Sequence, residues 1–518
     1  MEILGHLVEG FYLVFQPQNL MLIVLGCILG LFIGAMPGLG SVNGVAILLP
    51  MTFLVPPAGA IIFLAAIYYG AMNGGAISSI MLGIPGASTA VATTFDGRPM
   101  ALAGNADQAL ITAAIASFVG GTISIILFTG FAPPLASVAL AFGSPEIFAL
   151  MMLAFATFIG LGSDDVPKTF FSIFLGLVLS TVGLDIISGR PRLIFGDLPG
   201  FYHGINFLVL AIGIYGIGEM LWTLESNKGK LKLTHARPSL RRLVDGFIGM
   251  KGTIKAMLTG SVIGYFVGIL PAAGATPASL MAYGIAKTLS KEPETFGKGN
   301  IAGVAAPESA NNAASTGSLL PMLTLGVPGS PTTAILLGGM VIWGLEPGPM
   351  LFTEQPNFVW GLIASLYVAN LFALILNILL IPVFVTVLKL PFTVLAPLVF
   401  VLCVIGGYAP TQDMHDVWLM LLFGVVGYLM RKLDYPMAPA VLAIVLGPLA
   451  EPALRQSLII SDGSAMIFFT RPISGPLMVI AILLLLLPFW KHAKKIPPFT
   501  WLARKNYNRK AARENESG

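Results

Sequence analysis

The stretch that most constrains this chain is Gly30-Leu-Phe-Ile-Gly34-Ala-Met-Pro37-Gly38-Leu-Gly40, which closes an apolar segment long enough to enter a bilayer. Pro37 has no amide hydrogen to donate and clashes with the preceding turn, so a helix here breaks or kinks. In hydrocarbon, backbone groups freed by such a break persist only where protein or a watery cavity satisfies them. The pattern returns at Gly264-Tyr-Phe-Val-Gly268-Ile-Leu-Pro271-Ala-Ala-Gly274, with five of eleven positions identical. A broken membrane helix that occurs twice predicts duplicated halves arranged around a shared site.

The rest of the sequence suits that environment. Of 518 residues, 56% are apolar and 10% charged, where a soluble domain carries about 25% charged residues. Apolar runs long enough to cross a core of about 30 Å recur from end to end. The expected fold is an all-α polytopic membrane protein of roughly ten to twelve transmembrane helices, some re-entrant or broken. Residues 109–132, 145–160, 168–187 and 205–224 read as ordinary spans, as do segments from about 358 to 450 and 473 to 490. Cys27 and Cys403 lie in apolar segments, so neither a disulfide framework nor a metal spacing is present.

Sixteen of the 28 Lys and Arg residues fall between Lys228 and Lys255 or between Lys491 and Arg513. By the positive-inside rule both segments are expected in the cytoplasm. The first cation is Arg98, so a cleaved signal peptide is not expected. The implied organisation is an interfacial segment at 1–16, a first membrane repeat at 17–227 and a basic cytoplasmic loop at 228–255. A second repeat follows at 256–490, then a basic cytoplasmic tail at 491–518 that can meet anionic membrane lipid. An odd number of crossings between the N-terminus and the central loop makes the two repeats inverted in topology.

A second echo supports the duplication. Leu82-Gly-Ile-Pro85-Gly86-Ala-Ser88-Thr89 matches Leu325-Gly-Val-Pro328-Gly329-Ser330-Pro-Thr332 at five of eight positions, 243 residues apart against 234 for the first pair. One nine-residue insertion reconciles the two offsets. Each Pro-Gly turn ends one half-helix and starts another, whose N-terminus offers unpaired amide hydrogens and a partial positive charge. Pro85, Gly86, Ser88 and Thr89, with Pro328, Gly329, Ser330, Thr332 and Thr333, are therefore candidate ligands for a carboxylate. The alternative reading is a plain kink with its hydroxyls bonded back to the preceding turn. Gly34, Pro37, Gly38, Gly40, Gly268, Pro271 and Gly274 are the predicted structural breaks.

Between the echoes lies Pro307-Glu308-Ser309-Ala310-Asn311-Asn312-Ala313, followed by Ala314-Ser315-Thr316-Gly317. Adjacent amides in membrane sequence need partners on two faces, so Asn311 and Asn312 are candidates for substrate or for Na⁺. Asn43, Asn73, Ser315 and Thr316 are further ion-binding candidates; the alternative is interhelical hydrogen bonding. Glu308 reads as a carboxylate complementing a helix N-terminus. Gly70, Gly74 and Gly75 read as close-packing positions. Asp96-Gly97-Arg98-Pro99 reads as a surface turn, and Asp185 and Glu451 with Arg455 as interfacial residues. Trp343, Trp360 and Trp418 lie near predicted span ends, where indole rings favour the interface. No catalytic set, phosphate loop, dinucleotide fingerprint or nucleic-acid patch is present, so an ion gradient is the expected energy source.

Taken together, the Gly30-x₃-Gly34-x₂-Pro37-Gly38-x-Gly40 pattern, Tyr68-Tyr69-Gly70-Ala71-Met72 with Ile84-Pro85-Gly86, and Ala306 to Ala313 resemble the large membrane subunit of tripartite tricarboxylate transporters. Leu325 to Thr332 and Gly183-Leu184-Asp185 with Arg190-Pro191-Arg192 resemble it too. Departures are local: Asn73 and Gly83 stand where many members carry an aromatic residue and an asparagine. The resemblance implies a bacterial inner-membrane permease for citrate or another di- or tricarboxylate, coupled to co-transported Na⁺ or H⁺ and needing no other cofactor. It also implies two partners, a small membrane subunit of about four spans and a periplasmic solute-binding protein. The competing classes are a polytopic membrane enzyme acting on lipid or carboxylate, and a passive anion channel.

Overall fold

The computed structural model describes residues 2–36, 39–161, 165–185, 188–194, 199–226, 250–271, 273–387, 392–409 and 411–493. Pro37 and Gly38 of the first break lie outside the described residues, as do most of the basic central loop and most of the C-terminal tail. Among the described residues the chain is helical, apart from one antiparallel pair, Gly183–Leu184 with Pro191–Arg192. Seven of the described helices are long and apolar enough to cross a membrane, and eight shorter apolar helices among the described residues accompany them. Helices that end at Ala35 and Ile269 and resume at Gly40 and Ala275 divide what would otherwise be longer spans.

The first half carries α1 (Glu2–Val14), α2 (Pro17–Ala35), α3 (Gly40–Leu48), α4 (Pro57–Leu82), α5 (Val91–Leu102) and α6 (Ala106–Ala139). It continues through α7 (Ser144–Leu161), α8 (Val166–Ser180), α9 (Phe207–Ala211) and α10 (Glu219–Ser226), the last two joined by a π-helical stretch, Ile212–Gly218. The second half has α11 (Ile254–Ile269), α12 (Ala275–Leu289), α13 (Ala302–Leu325), α14 (Pro331–Ile342) and α15 (Pro356–Leu379). After these come α16 (Phe392–Tyr408), α17 (Met414–Lys432), α18 (Met437–Ile460) and α19 (Ser474–Ala493).

Two helix pairs form the centre, α2 on α4 and α11 on α13. Both are built from glycine at every fourth position. A Cβ at Gly26, Gly30 or Gly34 would lie 2.7, 2.3 or 2.1 Å from the carbonyl oxygens of Phe63, Ile67 and Ala71. A Cβ at Gly260, Gly264 or Gly268 would lie 2.5, 2.3 or 2.4 Å from those of Ala306, Ala310 and Ala314. Only glycine permits this backbone approach, which supplies the van der Waals contact that holds helices together in lipid. Gly70 and Gly74 complete the first seam, with a Cβ of either falling within 2.5 Å of a backbone oxygen of α2. The last helices of each half exchange partners: α9 and α10 lie against α16 and α17, whereas α18 lies against α7 and α8.

Several expectations change. The span expected over 168–187 ends at Ser180, and the chain then enters the short strand pair. The strands bring Asp185 to Arg192, which also reaches Glu451, while Arg455 bonds both acids. The charges expected at the interface thus form one closed network. The expected surface turn at Asp96 is part of α5, and Asp96 is fully buried. Its Oδ1 accepts from the amides of Gly297, Gly299 and Asn300 at 2.7–2.9 Å, and its Oδ2 from Tyr283 Oη at 2.9 Å. Backbone donors from the other half took the place of water. Trp360 is also buried, stacked on His6 of α1, so it is a packing residue and not an interfacial ring.

Candidate functional site

The chain ends of the two breaks and the two Pro-Gly turns converge. α4 ends at Gly83 and α13 at Gly326, both with left-handed φ (73° and 69°), as glycine C-caps adopt. Each turn then folds back onto its own half. A Cβ on Gly86 would lie 2.1 Å from the Gly34 carbonyl oxygen, and one on Gly329 would lie 2.8 Å from that of Gly268. Gly40 and Gly274, each with positive φ, open the helices beyond the breaks and face Ala87 and Ser330.

Each turn also reaches the opposite half. Ser41 Oγ, beside the first break, lies 3.0 Å from Thr332 Oγ1 of the second turn. Ser88 Oγ of the first turn lies 3.0 Å from Thr276 Oγ1, beside the second break. Ser279 Oγ adds a bond to the Thr89 carbonyl at 2.9 Å. Ser41 and Thr276, which pair with the two turns, were not singled out from the sequence. The signal was present in their position one or two residues past Gly40 and Gly274.

The two turns are not chemically equal. Ser330 Oγ accepts from the Thr333 amide at 3.2 Å, and Thr333 Oγ1 accepts from the Ser330 amide at 2.8 Å. That closed cap uses the hydroxyls expected for a carboxylate, much as the plain-kink alternative anticipates. Ser88 caps nothing, is exposed, and starts a short 3₁₀ turn before α5. The first turn is therefore the more open of the two. Pro85, Gly86, Pro328, Gly329 and Thr332 all lie at this junction.

A polar seam runs from the junction between α4 and α13. Tyr68 Oη lies 3.3 Å from Ser318 Oγ and 3.4 Å from Ser330 Oγ. Tyr69 bonds Thr316, and Asn73 Nδ2 donates to Asn312 Oδ1 at 3.1 Å. Tyr69 and Asn312 are 243 residues apart, as are Asn73 and Thr316. The two bonds are thus exchanged by the repeat offset, as contacts across a two-fold axis are. Ser315 bonds back to the Asn312 carbonyl at 2.7 Å, which leaves it a weaker ion candidate. Asn43 is buried in α3.

Glu308 differs from its expected role. It is the seventh residue of α13, fully buried, and accepts from Thr93 of α5 and from Ser117 Oγ of α6 at 3.1 Å. Sequence reading missed Thr93 and Ser117 because nothing in their neighbourhoods sets them apart from other helical hydroxyls.

A cavity of about 540 Å³ lies elsewhere, between α18, the strand pair and the distal end of α14, with Leu337, Val341 and the Asp185–Arg192–Glu451–Arg455 network in its wall. Its charges are paired with one another, so the convergence of the turns is the better-defined site.

A helical protein with seven apolar spans among its described residues and two interrupted helices meeting at paired hydroxyls is a multi-pass membrane protein built as a transporter. The chain belongs to the tripartite tricarboxylate transporter TctA family, whose profile matches residues 20–442. It is 39% identical over 482 residues to an uncharacterised 52.8 kDa protein of the TAR-I ttuC' 3' region of Agrobacterium vitis, covering 93% of this chain and 95% of that one. It is 42% identical over 228 residues to a protein of the TAR-II ttuC' 3' region of the same organism, covering 43% of this chain and 94% of that one. No solved structure matches.

Proposed function

We propose that this permease takes up a di- or tricarboxylate such as citrate across the bacterial inner membrane. Uptake is coupled to a Na⁺ or H⁺ gradient, and a periplasmic solute-binding protein delivers the substrate. A small membrane subunit of about four spans completes the assembly. Residues 17–227 and 256–490 act as two inverted repeats, with the loop at 228–255 and the tail at 491–518 in the cytoplasm. The observation that carries this reading is the pair of crossed bonds, Ser41 to Thr332 and Ser88 to Thr276, which joins each turn to the other half's break. Support for inversion comes from Tyr69–Thr316 and Asn73–Asn312, since numbering that runs oppositely along α4 and α13 makes them antiparallel. A two-fold axis relating antiparallel spans lies in the membrane plane, as in inverted-repeat transporters.

The substrate carboxylates are held by Ser88, Thr89 and the amides following Gly86, with Thr332 and Asn312 opposite. Helix N-termini serve a polyanion here because they carry positive potential without a buried Lys or Arg. Cation binding offsets part of the substrate charge before the site changes exposure. The test is uptake of radiolabelled citrate into proteoliposomes holding both membrane subunits, with and without a Na⁺ gradient, a proton gradient and the binding protein. Gradient-driven accumulation that requires the binding protein is expected. Flux indifferent to the gradients and to the binding protein favours a channel and refutes the proposal.

A further inference from the structure

We propose that Glu308 and Asn311 form the binding site of the co-transported cation, a sodium ion held by the Glu308 carboxylate, the Asn311 side-chain oxygen and the Thr93 hydroxyl. This rests on the transport reading above. Glu308 is fully buried, and its carboxylate oxygens accept from the hydroxyls of Thr93 and Ser117. Both donors are neutral. Among the described residues no Lys, Arg or His makes an ion pair with Glu308. On α5, Arg98 donates to the Met81 carbonyl, and Asp96 is engaged by Tyr283 and the loop amides. A buried carboxylate without a counter-charge is strongly unfavourable in a membrane interior, so the folded site calls for a cation.

The second observation is Asn311. It lies three residues on from Glu308, on the same face of α13. It is fully buried, its amide nitrogen stands beside the Glu308 carboxylate, and its Oδ1 has no hydrogen-bond partner. Buried amides are rarely left so, and each one points to a missing partner. In the adjoining seam Asn73 Oδ1 is a second buried amide oxygen without a donor. A proton on Glu308 engages one acceptor, whereas a hard cation takes several oxygens at once. Thr93 can serve both needs, because a hydroxyl that donates to the carboxylate still presents its own lone pairs.

The geometry also links cation and substrate. Thr93 lies on α5, whose first residue, Val91, directly follows the Ser88–Ala90 turn. A sodium ion shared by Glu308 and Thr93 ties that helix to α13 and fixes the more open of the two substrate turns.

The test is equilibrium binding of ²²Na⁺ to the full-length permease in lipid nanodiscs, without citrate or gradients. Wild type is expected to bind Na⁺ saturably. Glu308→Gln and Thr93→Val are expected to weaken binding at least about tenfold, a range typical of altered metal-site shells, with unchanged thermal unfolding in the absence of Na⁺. Glu308→Asp is expected to retain part of the affinity. Wild-type affinity in the well-folded Glu308→Gln protein overturns the assignment. So does a wild-type protein that binds no Na⁺, including one whose uptake follows a proton gradient. Failure of the transport reading registers separately, as absent citrate uptake by a permease that still binds Na⁺ through Glu308.

Discussion

Replacing Gly86 or Gly329 with alanine tests whether the turns must seat against the broken helices. Neither residue has a positive φ, so alanine meets no backbone strain there and only space is at issue. At Gly86 the new Cβ would lie 2.1 Å from the Gly34 carbonyl oxygen and 2.9 Å from Ser78 Oγ. An ordinary carbon–oxygen contact is about 3.3–3.6 Å, so the turn must lift by roughly 1.2 Å or more. At Gly329 the Cβ would meet Ser318 Cα at 2.7 Å and the Gly268 oxygen at 2.8 Å, requiring a smaller shift. Overpacking of this kind costs about 1–3 kcal/mol, against a total stability of about 5–15 kcal/mol. The protein should therefore reach the membrane with its turns displaced. A misplacement of about 1 Å in a positioned site costs on the order of 100-fold in rate, so citrate uptake should fall about 10- to 100-fold, with Gly86→Ala the worse. Gly75→Ala is the control, because its Cβ would meet only Ala90 Cβ at 3.4 Å, an ordinary contact. Initial uptake rates normalised to membrane abundance decide the matter. Rates for Gly86→Ala and Gly329→Ala equal to that of Gly75→Ala would refute the seating argument.

Three further outcomes follow from other contacts. Ser330→Ala combined with Thr332→Val should lower uptake at unchanged membrane abundance, because it removes the cap and the bond to Ser41 but no core volume of consequence; quantitative blotting beside uptake checks this. Asp96→Ala strands three amides and a tyrosine hydroxyl, so stability should fall by about 3 kcal/mol or more, with Asp96→Asn intermediate, as read by thermal unfolding in detergent. Arg192 and Arg455 share Asp185 and Glu451 but are each about one-third exposed. A double-mutant cycle of Arg192→Ala and Arg455→Ala should give a coupling of only about 0.5–1 kcal/mol.

Much of the fold was legible because breaks in apolar sequence are few and expensive. Pro37, Pro271 and the two Pro-Gly turns marked the positions where helices end, and the nine-residue difference in offset falls where it should, between Gly274 and α13. That extra chain includes the loop whose amides hold Asp96. The stripe Gly26-Gly30-Gly34 and its counterpart Gly260-Gly264-Gly268 was also present in sequence, as a period of four at the same offset, although only its last two members were used. Other features were not legible. Asp96 looks like a surface acid until a loop just over 200 residues away supplies its donors. Glu308 looks like a helix-terminal charge because the helix start, six residues further back at Ala302, has an isoleucine, Ile301, at its N-cap position. The Ser330–Thr333 cap shows the reverse problem, since hydroxyls that suit an anion suit a helix N-terminus equally well.

The central claim is that each Pro-Gly turn meets the other half's broken helix at one shared site. Cysteine pairs at Ser41 and Thr332, and at Ser88 and Thr276, test it directly, because the native oxygens lie 3.0 Å apart in both cases. With a protease site inserted between residues 228 and 249, mild oxidation followed by cleavage should leave the two halves covalently joined in both double variants and separable in each single variant. Halves that part freely after oxidation in both double variants would contradict the account.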